Sequence, residues 1–158
     1  LKMLRNAQIG VVADVRAFPR SRSNPAYNID SFPDDLSAHQ IQYHHFPDLG
    51  GRRPRQSGID DSTNAFWRVR SFHNYADYAL KDEFYDAFHC LEELGATKKV
   101  ALMCSEAVWW RCHRRIIVDY LLAAGHSVTH LMAPEREQEA SLNEGAKIRE
   151  DNRVTYPS

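Results

Sequence analysis

Long apolar runs are missing from this chain of 158 residues. Stretches such as Val100–Met103 and Ile116–Ala124 stop well short of the roughly 18 apolar residues that a membrane-spanning helix needs, which argues against a membrane partner. An excess of either charge is missing too, since 20 Lys and Arg face 21 Asp and Glu. Attraction to a polyanion therefore has to come from local clusters and not from the overall field. Cysteine is scarce. Cys90, Cys104 and Cys112 form an odd set without the spacing of a disulfide framework, and no C-x₂₋₄-C pair favours zinc. The first residues show no charged-then-apolar signal pattern, so a cytoplasmic setting with reduced thiols is expected, without metal or cofactor. Internal repeats and low-complexity tracts are also lacking, and a chain of this length suits one domain that buries about two-thirds of its unfolded surface.

What is present is an alternation of strand and helix signals. Ile9–Arg16 is a β-branched run ending in charge, the pattern of a strand buried on both faces of a parallel sheet. Ala17–Asp30 is loop by composition, and Asp30, Ser31 and Pro33 set up a short helix reaching Gln40. Ile41–Phe46 reads as a second strand. Pro47–Thr63, rich in Gly, Pro, Arg, Ser and Asp, is long and without apolar pattern, which suggests a functional flap. Helices are predicted at Asn74–Leu80 and Glu83–Leu94, the second closed by Gly95. Lys99–Cys104 is a third strand, followed by a helix from near Ala107 that turns Ile116, Ile117, Tyr120, Leu121 and Ala124 inward and stops at Gly125. Ser127–Leu131 reads as a fourth strand, Ala133–Asn152 as a polar and partly helical tail, and Val154–Tyr156 as a terminal strand. The alternation predicts one α/β domain over residues 1–158, a mostly parallel sheet flanked by helices as a three-layer sandwich, with ligand groups at the carboxyl ends of the strands. Because the first strand arrives by Ile9, an element of the natural protein before it is expected to be missing or truncated.

The chemistry-bearing residues gather at those strand ends. Asp14 and Arg16 close the first strand, and Cys104 and Glu106 follow the third, so all four are expected on one edge of the sheet. Alternatively Asp14 and Arg16 form only an ion pair, and Cys104 is only a small buried hydrophobe. Arg111, His113, Arg114 and Arg115 favour a Cys104 thiolate, whereas Glu106 opposes it. Cys112 and His113 with His44 or His45 raise a metal alternative, and a Cys104–Cys112 redox pair would need about a turn and a half of helix to come within range. Gly50-Gly51-Arg52-Arg53-Pro54-Arg55 reads as an anion-binding loop or as a solvated one. With Arg20, Arg22, Arg68, Arg70 and the aromatics Tyr27, Tyr43, Phe66 and Trp67 it also suits nucleic acid.

The order Asp14-Val-Arg16…Pro19…Ser23, Tyr43…Leu49-Gly-Gly-Arg52, Phe72…Tyr75-Ala-Asp-Tyr78, Met103-Cys104-Ser-Glu106…Trp110-Arg-Cys112-His113-Arg114 and Val154-Thr-Tyr-Pro157 resembles the uncharacterised family DUF488 over nearly the whole chain. Members of that family begin with a strand ending in Thr-Ile-Gly-His-Ser, which this sequence lacks. The resemblance implies that Asp14, Arg16, Ser23, Tyr43, Arg52, Cys104, Glu106, Cys112, His113 and Arg114 are its characteristic polar positions. The layout is loosely similar to rhodanese, flavodoxin and phosphatase-like domains, but the phosphatase pattern Cys-x₅-Arg fails because position 110 is Trp.

Two functional readings follow, and a third stands behind them. The first is an enzyme, a hydrolase or transferase, in which Arg16, Ser23, Tyr43, Arg52 and Arg114 hold a small anionic ligand. Asp14, Cys104, Glu106 and His113 then supply catalysis. The second is a nucleic-acid- or nucleotide-binding protein, including a hybrid in which Asp14 and Glu106 cleave a glycosidic bond. The third is a redox or metal module.

Overall fold

The structure, a computed structural model, describes residues 9–16, 32–38, 40–51, 53–103, 112–133 and 136–157. Its centre is a parallel sheet of three strands in the order β2-β1-β3, formed by β1 (Val11–Asp14), β2 (Gln42–His45) and β3 (Val100–Met103). In register, Asp14 lies opposite His45 on one side and Met103 on the other. All four residues of β1 are buried, as expected of a β-branched strand in the middle of a sheet.

Side chains of a strand alternate between its faces, and the two faces of β1 meet different partners. Val12 packs with Leu36 of α1 (Phe32–Ser37) and with Ile41, beside Tyr43 and Met103. Ala13 and Val15 join the larger core. That core holds Tyr75, Ala76 and Tyr78 of α2 (Arg70–Tyr78), Phe84, Phe88 and Leu91 of α3 (Asp82–Thr97), and Ile116, Ile117 and Tyr120 of α4 (Arg114–Ala123). It is unusually aromatic for its size, and each deep phenol spends its hydroxyl on a partner, as a buried polar group must. Tyr75 donates to Leu49 O at 2.8 Å, and Tyr120 to Ala79 O and Val154 O at 3.3 and 3.2 Å. Burial holds the Tyr75 phenol well above its ordinary pKa, so it remains a donor.

Gly125 ends α4 as expected. Its φ of +90° is a conformation that favours glycine, and Gly125 N and His126 N donate to Leu122 O and Leu121 O, the paired bonds of a Schellman ending. Gly95 does not end its helix, which runs on to Thr97. A glycine stops a helix by taking positive φ, and among the glycines of the described residues only Gly58 and Gly125 do so.

The expected fourth strand forms but does not join the parallel sheet. β4 (Thr129–Ala133) pairs antiparallel with β5 (Arg136–Glu139). The tail Ala133–Asn152, expected to be partly helical, instead holds β5 and β6 (Lys147–Ile148), with no helix among its described residues, and β6 pairs antiparallel with β7 (Val154–Thr155), the terminal strand expected there. Its polar side chains lack a helical apolar stripe, while Val154 and Tyr156, two apart, point into the core. Among the described residues no helix is long and apolar enough to cross a membrane.

Candidate functional site

The helix that follows β1, α1, covers one face of the sheet, and the helix that follows β3, α4, packs on the other. Ligands of open α/β sheets bind outside the carboxyl ends of adjacent parallel strands whose connections leave to opposite faces. Asp14 closes β1 at such a position. Opposite it in register is Met103, which precedes Cys104 in the sequence and whose carbonyl accepts from Val15 N at 2.8 Å.

The structure gathers three of the expected residues into one network. Asp14 is fully buried, and Arg16 is 6% exposed. Arg16 grips the Asp14 carboxylate through Nε at 2.9 and 3.1 Å and Nη2 at 2.7 Å, and its backbone N–H adds a bond at 3.0 Å. Tyr43 Oη donates to Asp14 Oδ2. The ion pair considered from the sequence is therefore present. A carboxylate accepts about four hydrogen bonds, and these partners occupy that capacity. Burial works against the Arg16 charge, but the hydrogen bonds and attraction of Asp14 outweigh it and leave Arg16 held above its usual pKa. Burial first and Asp14 second push the Tyr43 phenol up, so it stays protonated and donating.

Two imidazoles fasten the residues just beyond β1. His45 Nε2 donates to Arg16 O at 2.7 Å, and His113 Nε2 donates to Val15 O at 3.0 Å. Because a carbonyl only accepts, each bond places the proton on Nε2. His113 therefore presents Nδ1 to Cys112 Sγ, 3.4 Å away, and its ring lies 4.9 Å from that of Tyr75. The backbone N–H of Arg114 donates to the same sulfur at 3.4 Å, so the thiol caps the first turn of α4.

The Pro47–Thr63 segment, expected as a flap, is fastened in its first half. Single 3₁₀ turns form at Pro47–Leu49 and Asp61–Asn64, and Leu49 is fully buried. Tyr78 Oη donates to Asp48 O at 2.7 Å, while Arg53 donates to Pro47 O and Gly50 O and lies 3.9 Å over the Tyr78 ring. Asn74 Nδ2 reaches Arg53 O at 3.3 Å. Gly51 sits so close to His113 that a Cβ there would come within 2.5 Å of Nδ1. Composition alone suggested mobility because the tyrosines that hold this loop lie 26 and 30 residues beyond the carbonyls they bind. The glycine–imidazole contact, too, joins distant positions.

Arg114 begins α4 next to His113 and is half-buried. Ser23, Arg52, Cys104 and Glu106 lie outside the described residues. Sequence reasoning had named His45 only as a metal ligand, Gly51 only within an anion-binding loop and Tyr75 only within a family motif, and had not seen that they position β1 and His113. For His45 a signal existed, since it is the residue of β2 at the level of Asp14. Several arginines and aromatics of the nucleic-acid reading are occupied elsewhere: Trp67 is buried, Arg53 is folded onto its own loop, and Arg55 stands 3.5 Å from Asp61. Arg68 and Arg70 are exposed. Among the described residues no group of three His, Cys, Asp or Glu side chains could hold a metal ion.

Neither a curated protein nor a solved structure matches the chain. The model of the domain of unknown function DUF488 matches residues 1–121, and with the strand-end motifs of β1, β2 and α4 inside that span, the chain belongs to the DUF488 family.

Proposed function

We propose that the chain is an enzyme acting on a small ligand that carries a phosphate or carboxylate, bound in the crevice where β1 and β3 end. With this goes the reading of the domain as a three-layer sandwich. One observation carries the proposal: the connections after two neighbouring parallel strands leave to opposite faces, and the strand at that point ends in a buried Asp–Arg–Tyr network. Ligands of open α/β sheets take that position.

In this reading Arg16, Arg52 and Arg114 meet the anion, with Ser23 and Tyr43 beside them. Cys104 is the nucleophile and Glu106 the acid or base. Asp14 has its acceptor positions filled, so its part is to hold Arg16 and Tyr43 in place rather than to exchange a proton. His113, bound to Val15 O, fixes the start of α4 against the end of β1.

Isothermal titration with inorganic phosphate tests the proposal. Saturable binding is expected in the parent, weakened about tenfold, the effect of one lost charge-assisted contact, in Arg114→Ala. Exposed Arg68→Ala should bind as the parent does. Absence of binding, or equal loss in both variants, rejects the anion site.

A further inference from the structure

Cys112 has no part in the function proposed above, yet its surroundings are those of an activated nucleophile. Such a group is recognised by three members: a nucleophile, a base within hydrogen-bond reach, and a third group that orients the base. Cys112 Sγ and His113 Nδ1 are 3.4 Å apart, and Val15 O accepts from Nε2 at 3.0 Å. The carbonyl settles the tautomer. With the proton on Nε2, the only free lone pair of the neutral ring is on Nδ1, directed at sulfur. Three constraints then keep the ring where it is: the Val15 carbonyl, the Tyr75 ring at 4.9 Å, and Gly51, where any side chain would collide with the imidazole.

We infer that Cys112 and His113 form a thiol–imidazole couple that makes Cys112 a nucleophile toward an electrophilic carbon bearing a leaving group. In the step, the thiol proton passes from Sγ to Nδ1, giving thiolate and imidazolium. The thiolate forms an S–C bond as the bond from that carbon to the leaving group breaks, and the leaving group departs with the electron pair. The imidazolium keeps both protons in use, one toward Val15 O and one toward sulfur. The Arg114 N–H, 3.4 Å from Sγ at the start of a ten-residue helix, supports the negative charge on sulfur. Cys112 is 3% exposed, which restricts the inference to a small electrophile. The inference stands apart from the anion site: it needs neither Cys104 nor a bound phosphate.

Iodoacetamide and its anionic counterpart iodoacetate serve as probes, with the modified cysteine located by mass spectrometry on the intact chain. Alkylation of Cys112 by iodoacetamide is expected to persist below the pH of about 8.5 at which an ordinary thiol ionises. His113→Gln should slow it about tenfold at pH 7, one unit of thiol ionisation. The 240 nm absorbance difference between the parent and Cys112→Ser reads the same ionisation without requiring reagent access. A thiolate step at or above about pH 8.5 in that difference, or a Cys112 never alkylated at any pH, overturns the inference. So does an unchanged rate in a folded His113→Gln. Should Cys112→Ser fail to fold, the alkylation profile of the parent decides alone. Preference for iodoacetate over iodoacetamide reports on the neighbouring anion site and not on the couple, so the two ideas fail separately.

Discussion

Two carboxylates of this protein are equally buried and are answered by similar side chains, yet they are set in opposite ways. Asp14 and Asp119 are both fully buried, and each accepts from a tyrosine, Tyr43 in one case and Tyr156 at 2.7 Å in the other. Asp14 is gripped directly by a guanidinium. Asp119, in the middle of α4, is met instead by neutral donors, Asn143 Nδ2 at 2.6 Å and Asn143 N at 3.1 Å. Its arginine, Arg115, turns to Asn143 Oδ1 at 2.8 Å and lies 4.8 Å over the Trp67 ring. A second amide continues the pattern: Asn64 accepts from Tyr156 N and donates to Asp77, which stands 3.4 Å from His73. Residue type alone does not separate a strand-end site from a clamp. Position in the topology does, because the Asp14 network stands where parallel strands end and their connections part to opposite faces, whereas the Asp119 network closes a tail onto a helix.

The sharpest way to break this contrast is to remove the phenol of the clamp. Tyr156 is fully buried although it lies beyond the stretch matched by the family model, so the residues after 121 complete the core that residues 1–121 begin. Tyr156→Ala deletes a buried ring and strands Asp119, and a loss of about 3–5 kcal/mol is expected in urea unfolding. Tyr43→Ala, at a half-buried position, should cost clearly less. Equal losses would mean that the strand-end network carries as much of the fold as the clamp does.

Gly51→Ala comes next. The added Cβ would sit 2.5 Å from His113 Nδ1, against a ring held by Val15 O and Tyr75, so little can yield. Overpacking of this kind costs about 1–3 kcal/mol. The change should also free the loop, visible as faster tryptic cleavage after Arg55. Gly58→Ala provides the contrast: nothing lies within 4 Å of its added Cβ, and its cost comes only from the positive φ of 81°.

How much of this was legible in sequence depended on distance along the chain. The three parallel strands, the Schellman glycine at 125 and the Asp14–Arg16 pair rest on neighbours in sequence, where periodicity and composition speak directly. The clamp does not. Asn143 and Asp119 are separated by a turn and two strands, and nothing in a polar tail announces that one of its amides will satisfy a buried carboxylate. The same holds for Asp48 and Leu49, whose carbonyls are satisfied by Tyr78 and Tyr75. The tail Ala133–Asn152 was expected to be partly helical because nothing in its polar composition marks the short strands it forms, whereas Val154 and Tyr156, two apart and apolar, announced the terminal strand that follows it.

A smaller effect separates the tyrosines themselves. Tyr43→Phe and Tyr156→Phe each remove one hydroxyl from a carboxylate while keeping the ring. Asp14 retains its arginine, so about 1 kcal/mol is expected for Tyr43→Phe. Asp119 has no guanidinium on it among the partners above, and Tyr156→Phe should cost about 1.5–3 kcal/mol, the value of a hydrogen bond to a charged group. Chemical denaturation of both variants at neutral pH measures the ordering, and a larger loss for Tyr43→Phe would reverse it.

The finest distinction is one of pH. Burial raises the Asp119 carboxyl above its usual pKa of 3.8, against the lowering pull of Asn143, Tyr156 and Arg115. A carboxyl that binds its proton more tightly in the folded state favours folding while protonated. That contribution is complete below the unfolded value and is lost as the pH climbs through the folded one. Asp119→Asn has no proton to lose, so the stability of the parent minus that of the variant should fall as the pH rises from roughly 3 to 7. Taking the difference cancels the titration of the other carboxylates. A difference that instead grew with pH would show that the donors around Asp119 outweigh its burial, making the clamp an ion-stabilising cradle and removing the contrast with the guanidinium grip on Asp14.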